Sequence, residues 1–462
     1  MRTMAVALLL NLLVANSFAA DKPNIILIIT DDQGYGELAC HGNPILRTPN
    51  IDRLHSESVR FTRFQVSPTC APTRAALMSG RHEFKCGVTH TIYERERMAL
   101  GIPTIAETLR AAGYATGVSG KWHLGDQDPY RPDRRGFDEV FIHGAGGIGQ
   151  SYEGSCGDAP DNEYFDPYIL HNDVFEKTKG FCTDVFFGQA TRWIEANKDR
   201  PFFAYIPLNA AHGPFISPPK YEKIYLDKGL AKTQANFYGM IENIDDNVGA
   251  LMEKLRAWDI EDNTLVIFMT DNGRTGNGGA GLYNAGMKGE KGSPHEGGTR
   301  VPCFFRWKGK LPEGVDVDRV AAHIDMFPTL AELAGATIPP DAKLDGRSLV
   351  PLLQNAKADW KDRYLITHVG RWPHGKAKDY KYVNFSVRSQ RFRLVTREQL
   401  YDMESDPGQT TNVIERHPEI VAEMMKAYDA WWEEVLPLMV NENSPLEGPN
   451  TFHAMFRKQY GK

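Results

Sequence analysis

Two pairs of oxygen-bearing side chains frame the chemistry this sequence could do. Asp31-Asp32 directly follows the Ile-rich run Asn24–Thr30, and Asp271-Asn272 directly follows the apolar run Thr264–Thr270. With no cysteine beside either pair, the donor set suits a hard cation, calcium or magnesium. Either pair alone could do no more than cap a helix or close an Asx turn; two at matching strand ends point to a metal. Lys121 and His123 stand after a third apolar run, in Gly120-Lys-Trp-His, and His212 follows a fourth, Phe202–Pro207, after a short loop. A lysine and imidazoles beside a divalent ion can hold an anion and move protons. The segment Pro68-Thr-Cys-Ala-Pro-Thr-Arg74 places Cys70 and Arg74 at or near a helix start, because Pro72 suits a first turn, residues 75–78 are helix formers and Gly80 closes the helix. Free N–H groups and the helix dipole make that end an anion site and lower a thiol's pKa. The alternative is a lone structural cysteine packed in the core.

The elements needed to bring these residues together are legible as alternation. The runs at 24–30, 114–119, 202–207 and 264–270 read as buried strands, and helical patterns at 103–112 and 235–258 lie between them. This predicts an α/β fold, a large, mostly parallel sheet sandwiched by helices. Ligands of open α/β sheets bind beyond the carboxyl ends of the strands, and all four strand ends carry the residues named above. A helix at 325–334 and a connector at 337–347 close this region. Short strand-biased segments at 364–369, 385–389 and 392–395 and a helix at 418–436 predict a small C-terminal α+β subdomain with an antiparallel sheet. The expected division is a signal peptide at 1–20, a catalytic α/β domain at 21–363 and the C-terminal subdomain at 364–462.

Bulk properties narrow the function classes. The chain has 462 residues, 42% hydrophobic and 24% charged, an ordinary globular composition. The net charge of -6 argues against a nucleic-acid partner. Arg2, an apolar run at 5–15 interrupted by Asn11, and Ala19-Ala20-Asp21 form a signal-peptide pattern, so a periplasmic or secreted protein is expected. The apolar run is shorter than the roughly 20 residues of a membrane span, and no later stretch reads as one. Export permits disulfides. The six cysteines show no Cys-x-x-Cys pair, which argues against zinc. His41, His55, His82 and His417 read as surface or packing residues.

Cys70-Ala-Pro-Thr-Arg74 matches the Cys-x-Pro-x-Arg motif of the formylglycine-dependent type I sulfatases of the alkaline phosphatase superfamily, with Thr73 where Ser is usual. Gly120-Lys-Trp-His-Leu-Gly125 resembles the family's second motif, and Thr30-Asp-Asp-Gln-Gly34 its first strand end. Thr270-Asp-Asn-Gly273 and Lys291-Gly-Ser-Pro-His-Glu296-Gly-Gly-Thr-Arg300 resemble its later metal and lysine segments. Gly136-Phe-Asp138 and Leu400-Tyr-Asp402-Met-Glu-Ser-Asp-Pro407 are also typical. The resemblance runs from about residue 22 to past residue 410.

The resemblance implies a sulfuric ester hydrolase acting on a sulfated carbohydrate or an aryl sulfate. It implies that a formylglycine-generating or equivalent maturation enzyme oxidises Cys70 to an aldehyde, which hydrates to a gem-diol. Residue 70 would then be both the nucleophile and a ligand of one calcium ion, beside Asp31, Asp32, Asp271 and Asn272. A plain Ser or Cys would be left as a stable sulfate ester, whereas a gem-diol keeps a second hydroxyl whose deprotonation expels sulfate and regenerates the aldehyde. By the same resemblance Arg74 neutralises charge beside the diol, and Lys121 and Lys291 hold the sulfate oxygens. His212 protonates the leaving alcohol and His123 assists the second step, two roles that could be exchanged. Lys288 competes with Lys291, whose spacing to Glu296-Gly-Gly is the family's. The Gly-rich loop 141–157, with His143 and Tyr152, and the segment Gly370-Arg-Trp-Pro-His-Gly375 are candidates for substrate contact; the latter reads equally well as a turn packed on the core. The rivals are a phosphodiesterase or phosphonate monoester hydrolase of the same superfold, and a catalytically silent protein that binds a sulfated glycan.

Overall fold

An uninterrupted Ile/Leu run must bury both faces, and β1 (Asn24–Thr30) does so over its whole length. The computed structural model describes residues 22–152, 154–445 and 450–461; the expected signal peptide lies outside them. The further strands in chain order are β2 (Val59–Phe61), β3 (Phe64–Gln65), β4 (Ala115–Lys121), β5 (Glu139–His143), β6 (Tyr168–His171), β7 (Val174–Lys177) and β8 (Phe202–Pro207). They are followed by β9 (Thr264–Thr270), β10 (Cys303–Arg306), β11 (Val315–Val317), β12 (Ala321–Ala322), β13 (Leu365–His368), β14 (Phe385–Arg388), β15 (Phe392–Val395) and β16 (Gln399–Asp402).

Ten strands form the main sheet in the order β11-β2-β10-β9-β1-β8-β4-β5-β6-β7. Its centre, β9-β1-β8-β4-β5, is parallel throughout. Antiparallel neighbours flank this centre, β10 beside β9 and β6 beside β5. Alternation along β1 feeds two cores. Ile25, Leu27 and Ile29 face the layer that includes the helices Cys70–Ser79, Ile105–Ala111 and Met326–Leu333. Ile26 and Ile28 face the layer of Pro49–Ser56, Cys182–Asn197 and Lys232–Ala257. The expected α/β sandwich is therefore present. The four-stranded antiparallel sheet β13-β14-β15-β16 packs Phe385, Val387 and Leu394 against Tyr428, Trp431 and Trp432 of the helix Pro418–Val435. The last described helix, Thr451–Tyr460, places Phe452 and Phe456 in the core of the main sheet.

Register aligns the strand ends that matter. Thr30 of β1 pairs with Thr270 of β9, so Asp31 and Asp271 leave the sheet side by side. The strand expected at 114–119 runs on to Lys121. It can do so because Gly120 sits at φ 143 and brings its Cα against β8, where a Cβ would lie 1.8 Å from the Pro207 carbonyl oxygen. Among the described residues no helix is long and apolar enough to cross a membrane.

Candidate active site

Cys70 is the first residue of the helix Cys70–Ser79, with Thr69 in an extended N-cap conformation and Gly80 closing the other end at φ 65. Every residue of this helix is buried, so its N-terminal end lies inside the protein. Cys70 there meets the residues that follow β1 and β9. A Cys70 Sγ, an Asp31 oxygen and an Asp271 oxygen all lie within 4.8 Å of one another. Arg74, one turn along, donates to Asp271 Oδ2 at 2.9 Å and to the Lys121 carbonyl at 3.1 Å. Lys121 Nζ pairs with Asp31 Oδ2. Asp32, held at φ 58, meets a different set of partners. Its Oδ1 accepts from Asn272 Nδ2 at 3.0 Å and pairs with Lys291 Nζ at 2.6 Å, and its Oδ2 lies 3.9 Å from His212 Nε2.

Electrostatics follow from burial without water. Burial raises the Asp31 carboxyl to about 7 despite Lys121, and burial together with the neighbouring Asp31 raises Asp271 to about 6. Burial also works to raise Asp32, but Lys291 and His212 outweigh it and hold that carboxyl well below its usual range. His212 and His123 are both pushed down to about 4, chiefly by burial. His212 Nδ1 donates to the Gly213 carbonyl at 2.7 Å, which leaves Nε2 as the working nitrogen. His123 Nε2 donates to the Thr91 carbonyl at 3.0 Å and lies 2.8 Å from Glu96 Oε2.

A divalent cation fits this arrangement. Asp31 Oδ1 and Asn272 Oδ1 are buried without a hydrogen-bond partner among the described residues, and unpaired buried oxygens are costly unless a cation takes them. They belong to an oxygen donor set of the calcium or magnesium type. Above it opens a cleft of about 550 Å³ lined by Asp32, Gln150, His212, Glu290, Lys291 and Arg371.

Comparison with known proteins meets this geometry independently. The sulfatase family model matches residues 23–336. The chain belongs to the sulfatase family. A second model, the C-terminal region of N-sulphoglucosamine sulphohydrolase, matches residues 290–431. This sulfatase is 31% identical to arylsulfatase A of Bos taurus, with 90% of its chain and 88% of the relative aligned. It is 32% identical to N-acetylgalactosamine-6-sulfatase of Homo sapiens over 73% of its chain and 67% of the relative. The crystal structure of Ps i-CgsB in complex with k-i-k-neocarrahexaose superposes with a TM-score of 0.80 at 28% identity, covering 95% of this chain and 98% of that one. Sulfate ester hydrolysis is thus the activity of the family, on sulfated glycans or aryl sulfates.

Every residue expected at the sulfatase centre lies in this one region: Asp31, Asp32, Cys70, Arg74, Lys121, His123, His212, Asp271, Asn272 and Lys291. Lys288 does not, because its Nζ donates to the Tyr401 hydroxyl at 2.8 Å. The segment 370–375 divides. Arg371 lines the cleft, whereas Trp372 is buried among Phe84, His368 and Trp432 and donates to Glu442. His143, read as part of a substrate loop, is fully buried at the end of β5 with both ring nitrogens unpartnered among the described residues. Glu96 and Glu290 were missed, whereas Gln150 at the cleft belongs to the loop 141–157 expected to contact substrate. Glu96 stands in the run Glu94-Arg-Glu-Arg97, which reads as an alternating charged surface, so no local signal marks its contact with His123.

Proposed function

We propose that this protein removes sulfate from a sulfated saccharide, using residue 70 as nucleophile after oxidation of Cys70 to formylglycine, beside one calcium ion. The ion would be held by Asp31, Asp32, Asp271, Asn272 and residue 70. The observation that carries the reading is the convergence of the Cys70 side chain with the Asp31 and Asp271 carboxylates at a buried helix N-terminus. Bound there, calcium supplies Lewis acidity toward a sulfate oxygen and favours the ionised nucleophile. Formylglycine supplies a hydrated aldehyde, one hydroxyl for attack on sulfur and a second to expel sulfate.

The chain's own groups do the rest. Arg74 balances the charge of Asp271 beside the nucleophile. Lys121 pairs with Asp31 and Lys291 with Asp32, and both are positioned to hold sulfate oxygens as charge develops on them. His212 borders the open cleft, so its Nε2 is placed to hand a proton to the departing alcohol oxygen; burial disfavours the protonated ring, and Asp32, 3.9 Å away, favours it. His123 lies deeper, oriented by Thr91 and Glu96, and serves the second-hydroxyl step. The cleft is wide enough for a sugar ring, and Arg371 and Gln150 at its wall provide hydrogen-bond donors. The protein is exported, periplasmic or secreted, and a formylglycine-generating or equivalent enzyme is its maturation partner.

A two-metal phosphatase would need a more extended set of oxygen and nitrogen ligands; here Lys121 and Lys291 pair with Asp31 and Asp32 instead, which favours sulfate. Comparison of kcat/KM on an aryl sulfate, an aryl phosphodiester and a panel of defined sulfated saccharides tests the reading. Sulfated saccharides are expected to be preferred; preference for the phosphodiester would overturn the assignment.

A further inference from the structure

A second group of ligand-type side chains lies apart from the active site. Cys40 and His41 end the short 3-10 turn Ala39–His41, and His55 sits in the last turn of the helix Pro49–Ser56. One ligand atom from each lies within 4.8 Å of the other two, and all three residues are half-buried. We propose that Cys40, His41 and His55 form a site for one borderline-soft divalent cation of the zinc class.

The surroundings favour ligation over packing. His41 Nδ1 donates to the Tyr35 carbonyl at 2.8 Å, which leaves the Nε2 lone pair free, the arrangement in which a metal-bound histidine is oriented by its other nitrogen. Tyr35 stacks on the His41 ring at 3.8 Å, and Arg300 covers Tyr35 at 3.9 Å. Phe304 meets both imidazoles edge-on. These contacts fix both rings. Burial pushes both imidazoles well down, so each is neutral and able to donate an electron pair. Burial and Asp52 keep the Cys40 thiol protonated in the absence of a cation; as the sulfur–metal bond forms, that proton leaves to solvent. One thiolate and two imidazoles select zinc-type ions over calcium or magnesium, and three protein ligands leave a fourth position for water. The absence of a Cys-x-x-Cys pair argues against zinc in the sequence, but here the third ligand comes from the next helix. Occupation would tie the loop that follows Asp31-Asp32 to that helix.

The test uses full-length, calcium-saturated Cys70→Ala protein, which removes the thiol of the active site, titrated with Co²⁺. One equivalent is expected to produce thiolate-to-cobalt charge-transfer absorption that Zn²⁺ abolishes. Adding Cys40→Ser should remove the band, and adding His55→Ala should weaken binding at least about tenfold. Zn²⁺ should raise the Tm of the parent and not that of the Cys40→Ser protein. Cys40→Ser with Cys70 intact should retain sulfatase activity, which reports its folding; should it not, His55→Ala carries the same comparison. No band in the parent, or a band unchanged by Cys40→Ser or by His55→Ala, would overturn the site.

Discussion

Lys291 reaches Asp32 while Lys288, three positions earlier, turns to Tyr401. That divergence makes a paired comparison informative. Lys291→Ala is expected to lower kcat/KM about 10²–10³-fold, the scale of losing one charge-stabilising donor, while Lys288→Ala should leave it within about twofold; steady-state kinetics on an aryl sulfate decide. Cys70→Ala should remove turnover by at least about four orders of magnitude with the Tm little changed, and appreciable residual activity would refute residue 70 as the nucleophile. Arg371→Ala should reduce kcat/KM on a sulfated saccharide more than on a small aryl sulfate, because Arg371 lines the cleft with its guanidinium donating to Thr91; equal losses would exclude it from saccharide recognition. At this scale the residues with a specific local string, Cys70 and Arg74, Lys121 and His123, and Lys291, were legible. Glu96 was not, since its contact with His123 depends on a loop whose path no short pattern fixes, and Gln150 was legible only as a member of the loop 141–157.

Strand β4 shows how an element sets a residue. Gly120 lets the strand reach Lys121 while pressing against β8, so Gly120→Ala should cost about 1–3 kcal/mol by overpacking and left-handed strain together. Thermal unfolding reads the stability loss, and activity should fall with it because Lys121 would move from Asp31. An unchanged Tm would mean that the two strands part easily. The buried parallel strands were visible as apolar runs because both of their faces need apolar residues, and Phe202–Pro207 and Thr264–Thr270 match the expected bounds. The flanking strands were not visible. β10 spans Cys303–Arg306 only, and β7 (Val174–Lys177) buries a single residue, too little for a period to emerge.

On the scale of the whole molecule, the site joins elements drawn from both ends of the main sheet's sequence, and a cation is the group that reconciles its acids. Chelation with EGTA should abolish activity and lower the Tm, both restored by Ca²⁺, because an ion bound only by the folded state adds its binding free energy to stability. Asp271→Ala should blunt both responses. If chelation changes neither quantity, no exchangeable metal is present. The long-range gathering of these acids was inferable from the strand-end rule. The path by which the chain after β13 delivers Arg371 to the cleft rim was not, since it depends on Trp372 anchoring in a core with Phe84 and Trp432.

The central claim concerns one side chain. Active enzyme, purified after expression with its maturation partner, is digested, and the mass of the peptide carrying residue 70 is measured. An aldehyde in place of the thiol, in a fraction that tracks specific activity across preparations, is expected. Full activity from protein whose residue 70 is entirely thiol would contradict it.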